Sequence, residues 1–370
     1  MERAVWKKEL DESITSLSKL SKYIYIPKSD IKKIEQVIAR HPMKITRYYL
    51  SLMNPDKIDD PIRKMAVASE EELHLLGSYD TSGEKENTMM QGLQHKYEKT
   101  ALILATVKCA NYCRYCFRKR MVGLSSDEVL KKFSEAVNYI KAHKEINNVL
   151  ISGGDPLTLP TNIIKHFLEK ISTIPHIDFI RIGTKIPAVL PHRITKDNEL
   201  ITVLRSSASK FKRVYITTHF NHPREITSES KKAIDLLKNA LVTVSNQSVL
   251  LKGVNDNPET IADLNTKLIK IGVIPYYLFQ CRPVKRVKKH FQVPLYRGYE
   301  IVEKAKSMLD GYSKRFRYVM SHKTGKIEIL GIMDGYIYLK YHQAKNPENQ
   351  GKLFRRRINK EDGWLDDLSH

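Results

Sequence analysis

Short apolar runs rich in β-branched residues alternate with amphipathic segments of helical length from about residue 96 onward. Six of these runs predict strands, at 100–107, 148–152, 179–183, 213–219, 242–250 and 274–280. Several runs are apolar on both faces, which is typical of a parallel sheet covered by helices. Since parallel crossovers are right-handed, the chain is predicted to be an α/β protein with a partial or open (β/α)6 barrel of the TIM type.

The predicted barrel occupies only part of the 370 residues. Residues 1–95 are charged, with apolar residues at helical spacing, and predict a helical N-terminal region that covers the barrel or serves assembly. Residues 96–285 form the predicted barrel core, and 286–370 a C-terminal α/β segment. Four prolines divide the N-terminal region into short helices: Pro27, Pro42, Pro55 and Pro61.

Three cysteines, Cys109, Cys113 and Cys116, follow the first predicted strand. Their Cys-X3-Cys-X2-Cys spacing suits a [4Fe–4S] cluster in which one iron has no protein ligand and can bind a small molecule. A zinc site is the weaker interpretation, because Cys281 lies far downstream and is predicted to be a buried core thiol. A disulfide would leave an odd thiol, and the N-terminus does not resemble a secretory signal.

The chain is strongly basic, with 63 Lys and Arg against 41 Asp and Glu and a net charge of +22. Such a charge favours ligands or partners with phosphate and carboxylate groups. Nucleic acid is an alternative partner, but the cations are spread along the chain rather than gathered in one long cluster. No apolar stretch approaches the roughly 20 residues of a membrane span, and an oxygen-sensitive cluster fits a reducing cytoplasm.

Polar or glycine-rich features follow four consecutive predicted strands, which indicates one shared pocket at the C-terminal ends of the strands. They are Cys109, Gly153-Gly154-Asp155, Thr184-Lys185 and His219. Together with an aromatic residue, Tyr115, before the third cysteine, the pattern resembles the radical S-adenosylmethionine (SAM) superfamily. Segments over residues 85–335 are similar to the lysine 2,3-aminomutase family, chiefly 112–120, 181–195, 218–227 and 246–256.

The resemblance implies a radical cofactor system. The cluster would bind SAM through its amino and carboxylate groups and reduce it, giving a 5′-deoxyadenosyl radical. Tyr115 matches the position against the adenine, and Gly153, Gly154 and Asp155 match the turn that receives the methionyl amino group. Two further matched residues would line the pocket, namely His219 and Gln247.

The resemblance also implies pyridoxal 5′-phosphate (PLP), held by a lysine in a glycine-rich segment. The matching segment is 321–326, so Lys326 is the candidate and Lys323 its competitor; amines of this kind attack aldehydes once desolvated. Lys96 and Tyr97 match the phosphate-binding pair, with Lys in place of the usual Arg.

Substrate-binding positions both match and depart from the family. Arg118 matches the residue that binds the α-carboxylate, while Lys119 and Arg120 beside it can equally form a solvated cationic edge. Arg282 stands where lysine-specific members carry an aspartate, and the second acidic position is replaced within 318–321. A cation there repels a side-chain ammonium and suits a carboxylate. The expected substrate is therefore an acidic amino acid such as glutamate rather than free lysine.

The combined prediction is an isomerase, a PLP-dependent radical SAM 2,3-aminomutase. A flavodoxin or ferredoxin would supply the electron, and a homo-oligomer is compatible with the sequence. Zinc is not expected, because Asn257 replaces a family cysteine and the family's C-terminal cysteine cluster is missing. One alternative is a radical SAM enzyme without PLP that acts on nucleic acid or a protein side chain, and another is a metal-stabilised binding module.

Overall fold

A computed structural model describes residues 5–369 of the chain except residue 211. The described residues form one sheet whose strands neighbour each other in chain order. The strands are β1 (Thr88–Met90), β2 (Leu93–Tyr97), β3 (Thr100–Thr106), β4 (Asn148–Gly153), β5 (Phe179–Gly183), β6 (Arg213–Thr218), β7 (Thr243–Leu250), β8 (Ile274–Gln280), β9 (Arg317–His322), β10 (Gly325–Met333), β11 (Tyr336–Ala344) and β12 (Leu353–Arg357).

Helices precede the sheet and connect its strands. In the N-terminal region they are α1 (Val5–Asp11), α2 (Leu17–Leu20), α3 (Ile31–Arg40), α4 (Arg47–Ser51) and α5 (Pro61–Ala66). Between strands they are α6 (Phe133–Ala142), α7 (Thr161–Ser172), α8 (Ile186–Val189), α9 (His192–Thr195), α10 (Asn198–Lys210), α11 (Ser228–Asn239), α12 (Pro258–Lys270), α13 (Lys288–Phe291) and α14 (Leu295–Ser307).

The centre of the sheet is a run of parallel strands from β3 to β9. Its first six strands are the six predicted ones, and their ends differ from the prediction by at most one residue. β9 was not predicted, because its apolar residues run directly into the segment read as a cofactor loop. Antiparallel pairs flank the run on both sides. Within the described residues β1 does not pair with β12, so the predicted open barrel is confirmed.

Alternation along the parallel strands decides which side chains reach the barrel interior. On β5, Ile180 and Ile182 are buried against the helical layer, whereas Arg181 between them lines the interior. The helices complete the core with one apolar face each; α7, for example, buries Ile164, Leu168 and Ile171. Each fully buried side chain of this kind contributes about 1.5–3 kcal/mol.

The N-terminal region lies against the barrel near the cysteine loop. Asp60 is the N-cap of helix α5: its carboxylate accepts from the backbone N–H groups of Ile62 and Arg63, and Pro61 occupies the first helical position. This confirms the prediction of short helices set by proline. None of the helices within the described residues combines the length and hydropathy that a bilayer crossing requires.

Candidate active site

A cavity of about 370 Å³ lies inside the open barrel. It brings together candidate residues that lie far apart in the sequence. Its lining includes Lys96, Tyr97, Cys109, Cys113, Tyr115, Cys116, Arg118, Gly153, Gly154, Asp155, His219, Gln247, Arg282 and Lys326. Lys119, Arg120 and Lys323 do not line it.

The three cysteines lie on the loop that leaves β3, and a buried carboxylate supports this loop from behind. Arg114, between the second and third cysteines, donates from Nε and Nη2 to the two Glu72 oxygens at 2.8 and 2.7 Å. Lys119 donates to the same carboxylate at 2.6 Å. Burial alone would raise the pKa of Glu72, but the two cations outweigh it and lower the pKa to about 2. Lys119 is therefore buried and paired, so the solvated edge expected there is wrong.

The three thiols are the type of ligand that an iron–sulfur cluster requires. Among the described residues no three His, Cys, Asp or Glu side chains converge on a point where they could hold one metal ion. A [4Fe–4S] cluster does not need such convergence, because each cysteine binds a different iron atom. All three thiols face the same cavity, as a shared cluster requires.

The turn after β4 needs glycine at both of its glycine positions. Gly153 has φ +113°, and a Cβ there would meet the Thr106 carbonyl oxygen at 2.5 Å; at Gly154 a Cβ would collide with the Lys108 carbonyl. Asp155 holds this turn, since its carboxylate accepts from the Thr184 hydroxyl at 2.7 Å and from the Lys185 N–H at 2.7 Å. The Asp155 carboxylate therefore already accepts hydrogen bonds from the protein and holds the turn in place. The resemblance had implied only that this turn receives the methionyl amino group.

Tyr115 is fixed by a buried polar network. Its hydroxyl contacts Asn221 Nδ2 at 2.5 Å and Lys185 Nζ at 3.1 Å. Lys185 in turn pairs with Glu225 at 2.7 Å. Burial raises the pKa of Tyr115 well above its ordinary value, so the phenol stays neutral. The ring therefore presents a fixed apolar surface to the cavity.

His219 continues the network beside Gln247. Its Nδ1 lies 2.7 Å from the Gln247 carbonyl oxygen, and its Nε2 lies 3.2 Å from Asn221 Nδ2. Burial, together with nearby Lys185, lowers the pKa of His219 to about 4. The neutral ring accordingly donates from Nδ1 to the carbonyl and accepts at Nε2.

Lys326 stands on β10 with its amine in the cavity. Its Nζ donates to Gln343 Oε1 at 2.9 Å and lies 5.5 Å from the Tyr97 ring centre. Burial, reinforced by Arg181, lowers the pKa of Lys326 to about 7, so a large fraction is the nucleophilic free amine near neutral pH. Lys323, in contrast, has a side chain that is 58% exposed and lies near Asp366.

The predicted phosphate pair is adjacent to Lys326. Lys96 donates to the carbonyls of Ser82 at 3.0 Å and His322 at 2.5 Å. The Tyr97 hydroxyl is buried, and no hydrogen-bond partner for it lies among the described residues. A buried donor of this kind fits a ligand oxygen, because leaving it unpaired costs free energy.

Two arginines occupy the predicted substrate positions. Arg118 contacts Glu84 through Nε at 2.9 Å, and its Nη1 reaches Ser152 Oγ at 3.1 Å. Arg282 donates to Ser321 Oγ at 2.9 Å, and its Cζ lies 4.1 Å from the centre of the Phe117 ring. Its Nη1 is buried and has no partner within the described part of the chain. Arg120 instead bridges Glu84 and Glu128 outside the cavity.

Sequence reasoning missed the acids and cations that hold these residues in place. Glu72 and Glu84 lie in the charged N-terminal region, where nothing in the pattern separates them from exposed glutamates. Lys185 was marked only as a strand-end residue, although its position directly after Gly183-Thr184 was a usable signal. Arg181 was seen only as part of a longer motif.

Comparison with known proteins identifies a superfamily and relatives of this chain. The model of the Radical SAM superfamily matches residues 103–264. A protein of Aquifex aeolicus (strain VF5), provisionally named L-lysine 2,3-aminomutase, is 43% identical over 93% of this chain and 92% of its own. The L-lysine 2,3-aminomutase of Clostridium subterminale is 38% identical over 83% of this chain and 73% of its own.

A third relative carries a different substrate in its name. The glutamate 2,3-aminomutase of Clostridioides difficile (strain 630) is 38% identical over 83% of this chain and 71% of its own length. Identity at this level over most of both chains confirms the resemblance found in the motifs. The chain therefore belongs to the lysine 2,3-aminomutase family of the radical SAM superfamily, whose members are isomerases that use a [4Fe–4S] cluster, SAM and PLP.

Proposed function

We propose that this enzyme moves the α-amino group of an acidic amino acid, such as glutamate, to the β-carbon. The observation that carries the proposal is Arg282, a cation lining the cavity whose Nη1 is buried and has no partner among the described residues. A guanidinium matches the geometry of a carboxylate, whereas it would repel the side-chain ammonium of lysine.

The remaining roles follow from position in the cavity. Cys109, Cys113 and Cys116 would hold the cluster, and the glycine turn with Tyr115 would receive SAM. Lys326 is positioned to hold PLP. When bound, these groups supply a carbon radical and a carbonyl carbon for the substrate amine.

Arg118 is assigned to the substrate α-carboxylate. Glu84 contacts Nε and Nη2 of Arg118 at 2.9 and 2.8 Å, and Nη1 donates to Ser152 Oγ and the Gly153 carbonyl, so a substrate carboxylate would replace one of these contacts. Two arginines at one end of the cavity would then bind the two carboxylates of one acidic substrate. This arrangement separates an acidic amino acid from a neutral or basic one.

The electron would come from a flavodoxin or ferredoxin. The net charge of +22 favours such a partner if its docking surface is acidic. The relative named for glutamate supports the acidic substrate, while those named for lysine make lysine the competitor to test.

The test is turnover of glutamate, aspartate and lysine side by side by the anaerobically reconstituted enzyme. We expect an acidic amino acid to be the best substrate. Arg282→Gln should lower kcat/KM for it about tenfold to 100-fold, as loss of a hydrogen bond to a charged group does, and Arg282→Lys should restore part of the loss. The control is Arg297→Gln on the exposed face of α14, which should change nothing. Preferred turnover of lysine, unchanged in Arg282→Gln, would refute the proposal.

A further inference from the structure

Arg181 is a half-buried cation lining the cavity, to which neither the motifs nor the proposed substrate assign a task. We propose that Arg181 is an additional phosphate-binding residue of the PLP site, acting beside Lys96 and Tyr97. The inference rests on the proposed use of PLP by this chain. It goes beyond that proposal because it assigns a ligand group to a residue on β5, whereas Lys96 and Tyr97 lie on β2 and Lys326 on β10.

The position of Arg181 follows from strand alternation. Its neighbours Ile180 and Ile182 are 0% and 1% exposed on the helical side, so the arginine points into the barrel. In register it lies beside Leu150 of β4 and Tyr215 of β6. A long cationic side chain at the centre of a buried parallel strand is costly unless a ligand or a partner compensates it.

The side chain is oriented but not neutralised. Arg181 Nη2 donates to Asn148 Oδ1 at 2.7 Å, and Asn148 is itself held through its Nδ2 by the Lys99 carbonyl at 2.8 Å. Nε is buried and has no hydrogen-bond partner among the described residues. Within that same part of the chain no carboxylate forms an ion pair with this guanidinium. The Arg181 guanidinium is therefore oriented to bind an anion, and the described part of the chain does not supply one.

The surroundings indicate that this anion is a cofactor phosphate. Arg181, Lys96, Arg282 and Lys326 line the same cavity, and Lys326 Nζ lies 5.5 Å from the Tyr97 ring centre, so several cations share this part of the cavity with the candidate cofactor lysine. Burial and these three cations lower the pKa of Lys326, in keeping with that geometry. A phosphate carries up to two negative charges and several acceptor oxygens, which can use more than one cation and the free Tyr97 hydroxyl.

Depth in the barrel separates this role from that of Arg118. Arg118 contacts Ser152 and Gly153, whereas Arg181 pairs in register with Leu150, which lies two residues, or about 6.6 Å, further from the C-terminal end of the strand. The cysteines follow the C-terminal end of β3, so groups that react must lie toward that end. A phosphate takes no part in the reaction and belongs at the deeper end, where Arg181 is.

The test compares two ligands that differ only in the phosphate. Binding of PLP and of pyridoxal to the full-length protein freed of PLP is measured by absorbance titration. The proteins are wild type, Arg181→Gln and Arg181→Lys, with Arg213→Gln on the exposed start of β6 as the matched control. We expect Arg181→Gln to weaken PLP binding about tenfold to 100-fold while pyridoxal binding changes less than about twofold, and Arg181→Lys to lie between.

Each other result overturns a specific statement. If wild type binds PLP tightly and Arg181→Gln keeps the full preference for PLP over pyridoxal, the inference is wrong and the proposed function stands. If Arg181→Gln weakens both ligands equally, Arg181 only supports the fold and the inference is again wrong. If wild type does not bind PLP at all, the proposed function fails, and the role of Arg181 fails with it.

Discussion

Among the individual residues, the four cysteines differ sharply in their surroundings. Cys109, Cys113 and Cys116 lie on one loop at the cavity, while Cys281 follows β8 on a different wall of the same cavity and is 1% exposed. The first three can reach a common cluster, and the fourth packs with the core. The number of cysteines alone does not separate predicted cluster ligands from a core thiol, but their spacing along the sequence does.

The first prediction concerns these thiols. Cys113→Ala should reduce bound iron to a small fraction of that in wild type and abolish SAM cleavage, because a [4Fe–4S] cluster with one open iron is held to the protein only by its three thiolates. Cys281→Ala is the control and should keep the brown colour. Iron analysis and the visible spectrum after anaerobic reconstitution measure both. An unchanged iron content in Cys113→Ala would contradict the assignment.

At the level of elements, the N-terminal region supports the cysteine loop. Glu72 is fully buried and contacts both Arg114 and Lys119. The backbone adds further contacts, since the Arg114 N–H donates to the Met65 carbonyl at 2.9 Å and the Tyr112 N–H to the Lys44 carbonyl at 2.9 Å. The region read as a helical cover is thus in direct contact with the loop that would hold the cluster.

The second prediction follows from this support. Glu72→Gln leaves two buried cations without their carboxylate and should lower the free energy of unfolding by about 3 kcal/mol. It should also lower the iron bound per chain after reconstitution. Urea denaturation and iron analysis measure the two effects.

The matched control is Glu70→Gln in the same short helical turn. Glu70 pairs with Lys33 at the surface, where both side chains are about half exposed, so the change should cost less than about 1 kcal/mol. Equal effects of the two substitutions would show that burial of the Glu72 pair does not matter.

For the whole molecule, several buried groups couple folding to pH. Glu72 and Glu84 have pKa values of about 2, below the value of about 4.3 in an unfolded chain. Burial raises the pKa of each carboxyl group, but the paired cations lower it by more than burial raises it. Their stabilising contribution is complete above about pH 5 and is lost as the pH falls toward 2. His219 and His290, both lowered to about 4 mainly by burial, also resist protonation in the folded state.

The third prediction is that stability falls steadily on acidification. The Tm of the protein without cofactors should drop between pH 6.5 and 3, first as the unfolded chain gains protons on histidine and then as it gains them on glutamate. Thermal unfolding followed by circular dichroism measures this. In Glu72→Gln the slope below pH 5 should be shallower. A Tm that stays constant from pH 6.5 to 3 would contradict the pKa directions.

Local patterns determined much of this protein without any coordinates. The β-branched runs marked six parallel strands because strands buried on both faces must be apolar throughout. The cysteine spacing and the Gly153-Gly154 turn marked one pocket, because they belong to four consecutive strand ends with polar or glycine-rich features, and such ends meet on one face of a barrel. Strand β9 escaped detection, since its apolar run continues directly into the hairpin with Lys326.

Only the tertiary structure decided which charged residues are buried and what they face. Lys323 and Lys326 look alike in sequence, yet one lies at the surface and the other in the cavity. Glu70 and Glu72 differ in the same way. The amino-acid sequence determined the strands and predicts the cluster ligands, because these depend on local spacing. Burial and pairing of a charge depend instead on contacts between distant segments, and these exist only once the chain has folded.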